Sequence, residues 1–338
     1  MVVLYHCFPQ LERMGYKGNH FQSLSAGVDI FFVISGFIML YSAHRAPARG
    51  PGAFLLNRAI RIVPIYWMLT SFMVAIALLA PQLMVSTRFE PTHVLMSYLM
   101  LPAKHPVIGY YWPILIPGWT LNYEMFFYLI FAAGLWLLRG RDLALALFVG
   151  GIILVLVLMP LFVPVDGAVG FYTYSVMIEF VFGLGCGLLF LRGWRMPKAA
   201  GGAAIAIGFA LLFWTDFFDH PDVRGLTYGM PALMIFAGAV LTRWSLGPAD
   251  WRLPQMVGDA SYSIYLTNMI AMSAIGMGWR KLLGGGMPGN TVLFIVFALT
   301  VCGLSGVLFY RLVEAPVTEW LKNRAHALSS RTEPVAAE

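Results

Sequence analysis

Two stretches of the chain, "YWMLTSFMVAIALLA" (66–80) and "LALALFVGGIILVLVLMPLFV" (143–163), are apolar on every side of a helix rather than on one. A soluble domain has no use for such a helix, because it offers water no polar face; lipid is its natural surrounding. Composition agrees, with 59% hydrophobic and 11% charged residues where soluble domains carry roughly 25% charged. The sequence therefore predicts an all-α polytopic membrane protein. Apolar stretches of spanning length lie near 26–43, 59–80, 119–138, 143–163, 173–191, 199–215, 226–242, 260–278 and 291–313.

Placing the connections alternately on two sides sorts the basic residues. Fifteen of the 22 Lys and Arg, among them Arg45, Arg58, Arg61, Arg139 and Lys322, fall on one side; the other holds seven, among them Arg13, Arg224 and Arg280. The excess marks the cytoplasmic side, which makes the C-terminus cytoplasmic and sets residues 9–25 outside. The net charge of +6 then has a topological origin and implies no nucleic-acid partner. Cys7, Cys186 and Cys302 sit in or beside apolar segments at no metal-ligand spacing, so they read as small core residues and no metal is expected.

The same topology constrains the opening "MVVLYHCF". The chain has to cross before residue 9, yet eight residues make only about 12 Å of helix. The expectation is a first helix truncated at the N-terminus, its earlier turns preceding Met1, for a bundle of about ten transmembrane helices. A signal peptide is the rival, without a basic n-region or a small-residue cleavage pattern to support it. Residues 1–322 form a single transmembrane domain in this reading, and 323–338 a flexible cytoplasmic tail.

Ionisable groups inside such spans are costly and mark function. Of seven histidines, His6 alone lies within a membrane segment; it reads either as a base or as an interfacial histidine with a satisfied hydrogen bond. Glu124, in "PGWTLNYEMFFYLIF" (117–131), enters the bundle beside Asn122 and Tyr123. It needs a partner, and a histidine is a natural one; a plain helix-start acid is the alternative. Arg58 and Arg61, three apart in "FLLNRAIRIVPIYW" (54–67), share a helix face. They fit either an anion site at a helix start or topological anchoring. Asp29 reads as a hydroxyl-binding or a helix-start residue, and Glu179 as a packing or pathway residue. Gly36, and Gly183 with Gly187, are read as points of close helix approach. Tyr66, Trp67, Trp119, Asn122 and Tyr123 are read, with Asp29, as substrate-pocket residues, since aromatic faces and amides suit sugars and adenine alike.

Taken in order, "LYH" (4–6), "GVDIFFVISGFIM" (27–39), "NRAIRIVPIYW" (57–67), "GWTLNYEMFFY" (118–128), "GDASYSIYLTN" (258–268) and "RLVEAPVT" (311–318) resemble the acyltransferase-3 family of membrane acyltransferases. "WTLNYEMFFY" is most similar to the exopolysaccharide O-acetyltransferase branch. The resemblance implies a ten-helix bundle in the bacterial inner membrane that uses acyl-CoA, usually acetyl-CoA, as co-substrate, with no permanently bound cofactor. The acceptor it implies is a hydroxyl of a cell-envelope glycan or its lipid-linked precursor. His6 matches the family's essential histidine, Arg58 and Arg61 its Arg-x-x-Arg donor motif, and Glu124 its acidic position. Two departures stand out. The arginine that usually precedes the histidine by some turns is absent, and many members have histidine where this chain has Asn268, which is therefore assigned no role.

The resulting expectation is that Arg58 and Arg61 hold the donor phosphates, His6 deprotonates a sugar hydroxyl, and Glu124 orients the imidazole. A covalent acyl-histidine relay is a variant. A transporter of lipid-linked sugars or small solutes is the competing class, although neither broken helices nor inverted repeats are visible.

Overall fold

The computed structural model describes residues 1–48, 50–83, 88–218, 223–245, 251–283 and 291–332. Arg49 and His220, which entered the charge and histidine readings, lie outside them. Each of the nine apolar stretches is helical: α1 (Gly27–Arg45), α2 (Pro51–Leu79), α3 (Trp119–Leu138), α4 (Asp142–Leu158), α5 (Ile178–Leu191), α6 (Lys198–Trp214), α7 (Gly229–Val240), α8 (Ser261–Leu283) and α9 (Thr291–Phe309). Among the described residues there is no strand, only an isolated bridge between Met196 and Thr242. Before α1 come two short turns, Val2–Tyr5 and Phe8–Glu12. The helix Ala315–Thr332 runs into the stretch expected to be a flexible tail, and residues 333–338 lie outside the description.

By length and apolar composition, six of the described helices suffice to cross a membrane, so the expected count of about ten is not reached on that measure. The reasons are local. α7 has 12 residues, about 18 Å of rise against a hydrocarbon core of roughly 30 Å. α6 has 17, and α8, though 23 residues long, is diluted by Ser261, Ser263, Thr267 and Asn268 in its first half. Leu79, Trp136, Leu147 and Val292 are exposed on the outer surfaces of the helices, as lipid-facing side chains should be.

Contacts between connections respect the two-sided sorting. Arg224 pairs with Asp29 at 2.6 Å, Ser23 N–H donates to Asp216 at 2.9 Å, and Arg280 donates to Gln10 at 3.2 Å; all six belong to one set. In the other set His44 meets Asp142 at 2.6 Å and Lys198 donates to Ser245 at 2.5 Å.

Small residues set the tightest packing. A β-carbon on Gly36 would run into the Phe180 carbonyl oxygen, and one on Gly183 into the Val33 carbonyl and within 2.7 Å of the Phe37 nitrogen. α1 and α5 therefore cross backbone to backbone at Gly36 and Gly183, two of the glycines read as points of close helix approach. The three cysteines are free and buried. A π-turn at Tyr310–Glu314 after α9 brings the Glu314 carboxylate into the bundle, where it accepts from Ser263 Oγ at 2.5 Å.

The α1–α5 crossing generates a paired test. Gly183→Ala should destabilise the folded protein by about 1–3 kcal/mol or more through overpacking, whereas Gly185→Ala, whose β-carbon meets nothing within 4 Å, should be neutral. Thermal unfolding in detergent separates the two; equal midpoints would remove the crossing as a constraint.

Candidate active site

One cavity of about 520 Å³ lies in the bundle, within the size range of small-molecule sites. It runs along α1 from Gly27 to Met39, twelve residues or about 18 Å of helix. Arg58, Arg61 and Ile62 enter from α2 at spacings of three and four, and Thr120, Leu121, Glu124 and Tyr128 from α3. Ser261, Tyr262 and Tyr265 enter from α8, and Val2 from the first turn of the chain. Each set occupies one helix face, so periodicity alone aims these side chains at one space.

The charged end of the cavity holds two guanidiniums and one carboxylate. Glu124 is buried and accepts from Ser35 Oγ at 3.3 Å and from the Tyr128 hydroxyl, one turn further along α3. The Arg58 guanidinium lies 5.9 Å from the Tyr128 ring centroid and 5.7 Å from that of Phe54, within cation–π range, and its buried Nε has no partner. Among the described residues neither Arg58 nor Arg61 closes an ion pair with Glu124. Two guanidiniums without an ion-pair partner among the described residues line the cavity beside Glu124, a donor set that suits an anion. Arg58 also borders a smaller cavity shared with Asn57 and Arg139. Both arginines sit two and three turns inside α2, which starts at Pro51 rather than near 59. The expected help from the helix N-terminus is thus absent, because the dipole acts only within the first turn.

His6 follows the turn Val2–Tyr5 and stacks one turn above the cavity-lining Val2. Its partner is not Glu124. The imidazole Nδ1 lies 2.5 Å from Asn268 Oδ1, and Asn268 sits on α8 three residues after Tyr265. On the cavity wall, Thr120 Oγ1 donates to the Tyr265 hydroxyl at 3.1 Å, and that hydroxyl donates to the Pro117 carbonyl at 3.0 Å. Glu124, Thr120 and Tyr265 line the cavity, and His6 meets α8 through Asn268.

The six residues expected to form a substrate pocket, Asp29, Tyr66, Trp67, Trp119, Asn122 and Tyr123, lie outside this cavity. Asp29 is fully buried in its ion pair with Arg224, at 2.6 and 3.0 Å, and Glu179 is buried against Gly229. Tyr66 donates to the Ser97 carbonyl, Trp67 to the Tyr98 carbonyl on the exposed side, and Tyr123 to the Phe171 carbonyl. Trp119 packs on Phe32 and Tyr123, while Asn122 is buried with its amide unpartnered. The polar lining comes instead from Ser35, Thr120, Tyr128, Ser261, Tyr262 and Tyr265. The available signal was helical period: counting four either way from Glu124 reaches Thr120 and Tyr128, not Trp119 or Asn122.

A family described as an acyltransferase domain, acyltransferase-3, matches residues 1–324. The chain belongs to the acyltransferase-3 family. The exopolysaccharide production protein ExoZ of Rhizobium meliloti (strain 1021) is 38% identical over 329 residues, covering 95% of this chain and 97% of the relative. No solved structure matches. In this acyltransferase the cavity with its paired arginines is the natural candidate for the reaction site.

A cap of residues 91–118 holds the entrance to α3. Glu90 caps the helix Pro91–Tyr98, and His93 reaches the Trp112 carbonyl at 2.8 Å. His105 Nδ1 accepts from the backbone N–H groups of Val107 and Ile108 at 3.2 and 3.3 Å, a role a protonated ring cannot fill. Burial, with the neighbouring His93 adding to it, pushes the His105 imidazole from 6.5 down to about 4. Between those values the unfolded loop binds the proton and the folded loop does not. The cap's stability is therefore full above about 6.5 and falls as the pH drops toward 4. The protection of amides over residues 99–118, taken relative to the intrinsic exchange rate at each pH, should fall between pH 7.5 and pH 4.5, and His105→Asn, which keeps an uncharged acceptor, should flatten the step. Equal protection at both pH values would remove His105 as its cause.

Proposed function

We propose that this acyltransferase moves an acyl group, acetyl in the first instance, from cytoplasmic acyl-CoA to a hydroxyl of an exopolysaccharide sugar or its lipid-linked precursor. It does so within the bacterial inner membrane, its C-terminus in the cytoplasm. The observation that carries the reading is the single cavity that begins at two unpaired arginines and extends along α1 to Val2, one turn from His6. The relative's role in exopolysaccharide production supports a glycan acceptor, and the excess of Lys and Arg on one set of connections supports the orientation.

In the reaction, Arg58 and Arg61 hold the phosphates of acyl-CoA and direct the thioester along the apolar wall of Ile34, Ile38 and Ile62. His6 takes the proton of the sugar hydroxyl as its oxygen attacks the thioester carbonyl. The tetrahedral intermediate then expels the CoA thiolate, which receives that proton, giving an O-acyl sugar and free CoA. Glu124 serves the donor end: by accepting from Tyr128 it fixes the ring over which Arg58 lies. Asn57 and Arg139, on the smaller cavity beside Arg58, extend the donor path toward the cytoplasm.

Incubating the purified protein with labelled acetyl-CoA and a lipid-linked sugar should transfer label to the sugar; movement of the sugar across the membrane without label transfer would support a transporter instead. His6→Ala should lower transfer by roughly 10²- to 10⁴-fold while the protein stays folded in the membrane. Retained acylation would remove His6 from the chemistry. Arg61→Ala should raise the acyl-CoA KM by roughly ten- to a hundredfold with a smaller effect on kcat, and an unchanged KM would return the arginine to topological anchoring.

A further inference from the structure

The hydrogen bonds around Asn268 decide which nitrogen of His6 carries its proton. Asn268 is fully buried, and its side-chain amide has one donor end and one acceptor end. The donor end is committed: Nδ2 donates to the Tyr265 carbonyl at 2.5 Å. A carbonyl oxygen can only accept, so reversing the amide would press two oxygens together at that distance. Oδ1 must therefore face His6, where it lies 2.5 Å from Nδ1.

An amide oxygen also only accepts, so Nδ1 must be the nitrogen that donates. A neutral imidazole carries one N–H. Once Nδ1 holds it, Nε2 is left with a bare lone pair. Among the described residues Asn268 is the imidazole's hydrogen-bond partner, and Nε2 is not among the buried atoms that lack one, so the lone pair stays open to an incoming group. The first turn that carries His6 packs against α8 and α9, where the nearby ionisable side chains are Tyr5, Cys7, Tyr265 and Cys302. None is a carboxylate, so the orienting group is neutral.

We infer that Asn268 is a positioning residue that fixes His6 in its Nδ1–H tautomer and so presents a bare Nε2 to the acceptor hydroxyl. The inference rests on His6 acting as the base, and adds how the fold prepares it. The arrangement does for imidazole what a carboxylate does in a hydrolase triad, but without adding a negative charge. A carboxylate at this position would make the ring more basic and favour imidazolium at neutral pH; an amide sets the tautomer and leaves the ring neutral and ready to accept a proton.

The test uses the full chain in lipid vesicles with ¹⁵N-labelled histidine, the His6 signals being assigned by difference from His6→Gln. In the unmodified protein above pH 7, Nε2 should show the shift of an unprotonated nitrogen and Nδ1 that of an N–H. Asn268→Ala should let the Nε2–H form appear and lower kcat on the order of 10- to 100-fold, as outer-shell orienting groups do, with the acyl-CoA KM unchanged. Asn268→Asp, where it is ionised, should shift the acidic limb of the kcat/KM profile upward. An Nε2–H signal in the unmodified protein would overturn the inference whatever the variants do, and would decide the matter even if Asn268→Ala failed to fold. So would an Asn268→Ala protein with unchanged tautomer and unchanged kcat. The two readings fail separately: an inactive His6→Ala variant together with an Nε2–H signal in the unmodified protein sinks the tautomer argument alone, and an active His6→Ala variant together with a bare Nε2 in the unmodified protein sinks the base alone.

Discussion

At Gly36 and Gly183 the backbones of α1 and α5 touch, and in lipid that contact has to do what side-chain burial does in water. Hydrocarbon tails are as apolar as leucine, so covering leucine between two helices gains little; close approach of two backbones gains dispersion contacts that lipid cannot supply. Held there on one side, α1 presents Val28, Phe31, Ile34, Ser35 and Met39 on another to the cavity. The position of Ser35 follows, and with it one of the two hydroxyls that satisfy Glu124. The cavity wall is thus fixed by two residues that have no side chain.

The buried charges divide into those the fold has settled and those it has left open. Asp29 and Arg224 neutralise each other, and Glu314 and Glu124 are satisfied by hydroxyl donors. Each ionised group at the membrane centre costs at least about 2.5–3.5 kcal/mol on insertion scales, which explains why such partners are present. Glu179 is buried without a hydrogen-bond partner for either oxygen, and Arg58 and Arg61 face the cavity with aromatic rings and a carboxylate nearby but, among the described residues, no ion pair. Positive charge left uncompensated in a low-dielectric cavity is most cheaply completed by an anion from outside the chain. The same cavity is lined by the hydroxyls of Tyr128, Thr120 and Tyr265, and the backbone carbonyl of Tyr265 accepts from the Asn268 amide that meets His6.

The sequence made the helices legible because lipid enforces long apolar runs, and it made Arg58, Arg61 and Glu124 legible because charge within such runs is rare. It made Gly36 and Gly183 legible for a related reason, small residues being the means by which helices approach in a membrane. What it did not reveal was pairing across the chain. His6 and Asn268 are 262 residues apart, and Asp29 and Arg224 are 195 apart; no local period connects either pair. Glu124 seemed a suitable partner for His6 on chemistry alone, yet its partners are Tyr128, four positions on, and Ser35. The aromatic and amide residues near the motifs were chosen by type. Type does not define a helix face, and the cavity is defined by faces.

The His6–Asn268 bond joins the first turn of the chain to one of its last long helices, and this has a consequence for biosynthesis. At 5–20 residues per second, a ribosome needs roughly 13–50 s to travel from residue 6 to residue 268. During that interval the nascent chain holds its arginines and its histidine but has no amide with which to set the ring. α8 and α9, against which the first turn packs, are also still to be made. On the roles proposed for Arg58, Arg61 and His6, a partly synthesised protein in the membrane is latent: it has the means to attract an acyl donor before it has an oriented base to discharge it. Under that proposal catalytic competence arrives with the insertion of α8, which brings Asn268 to His6, and an interrupted translation product is an inert membrane protein.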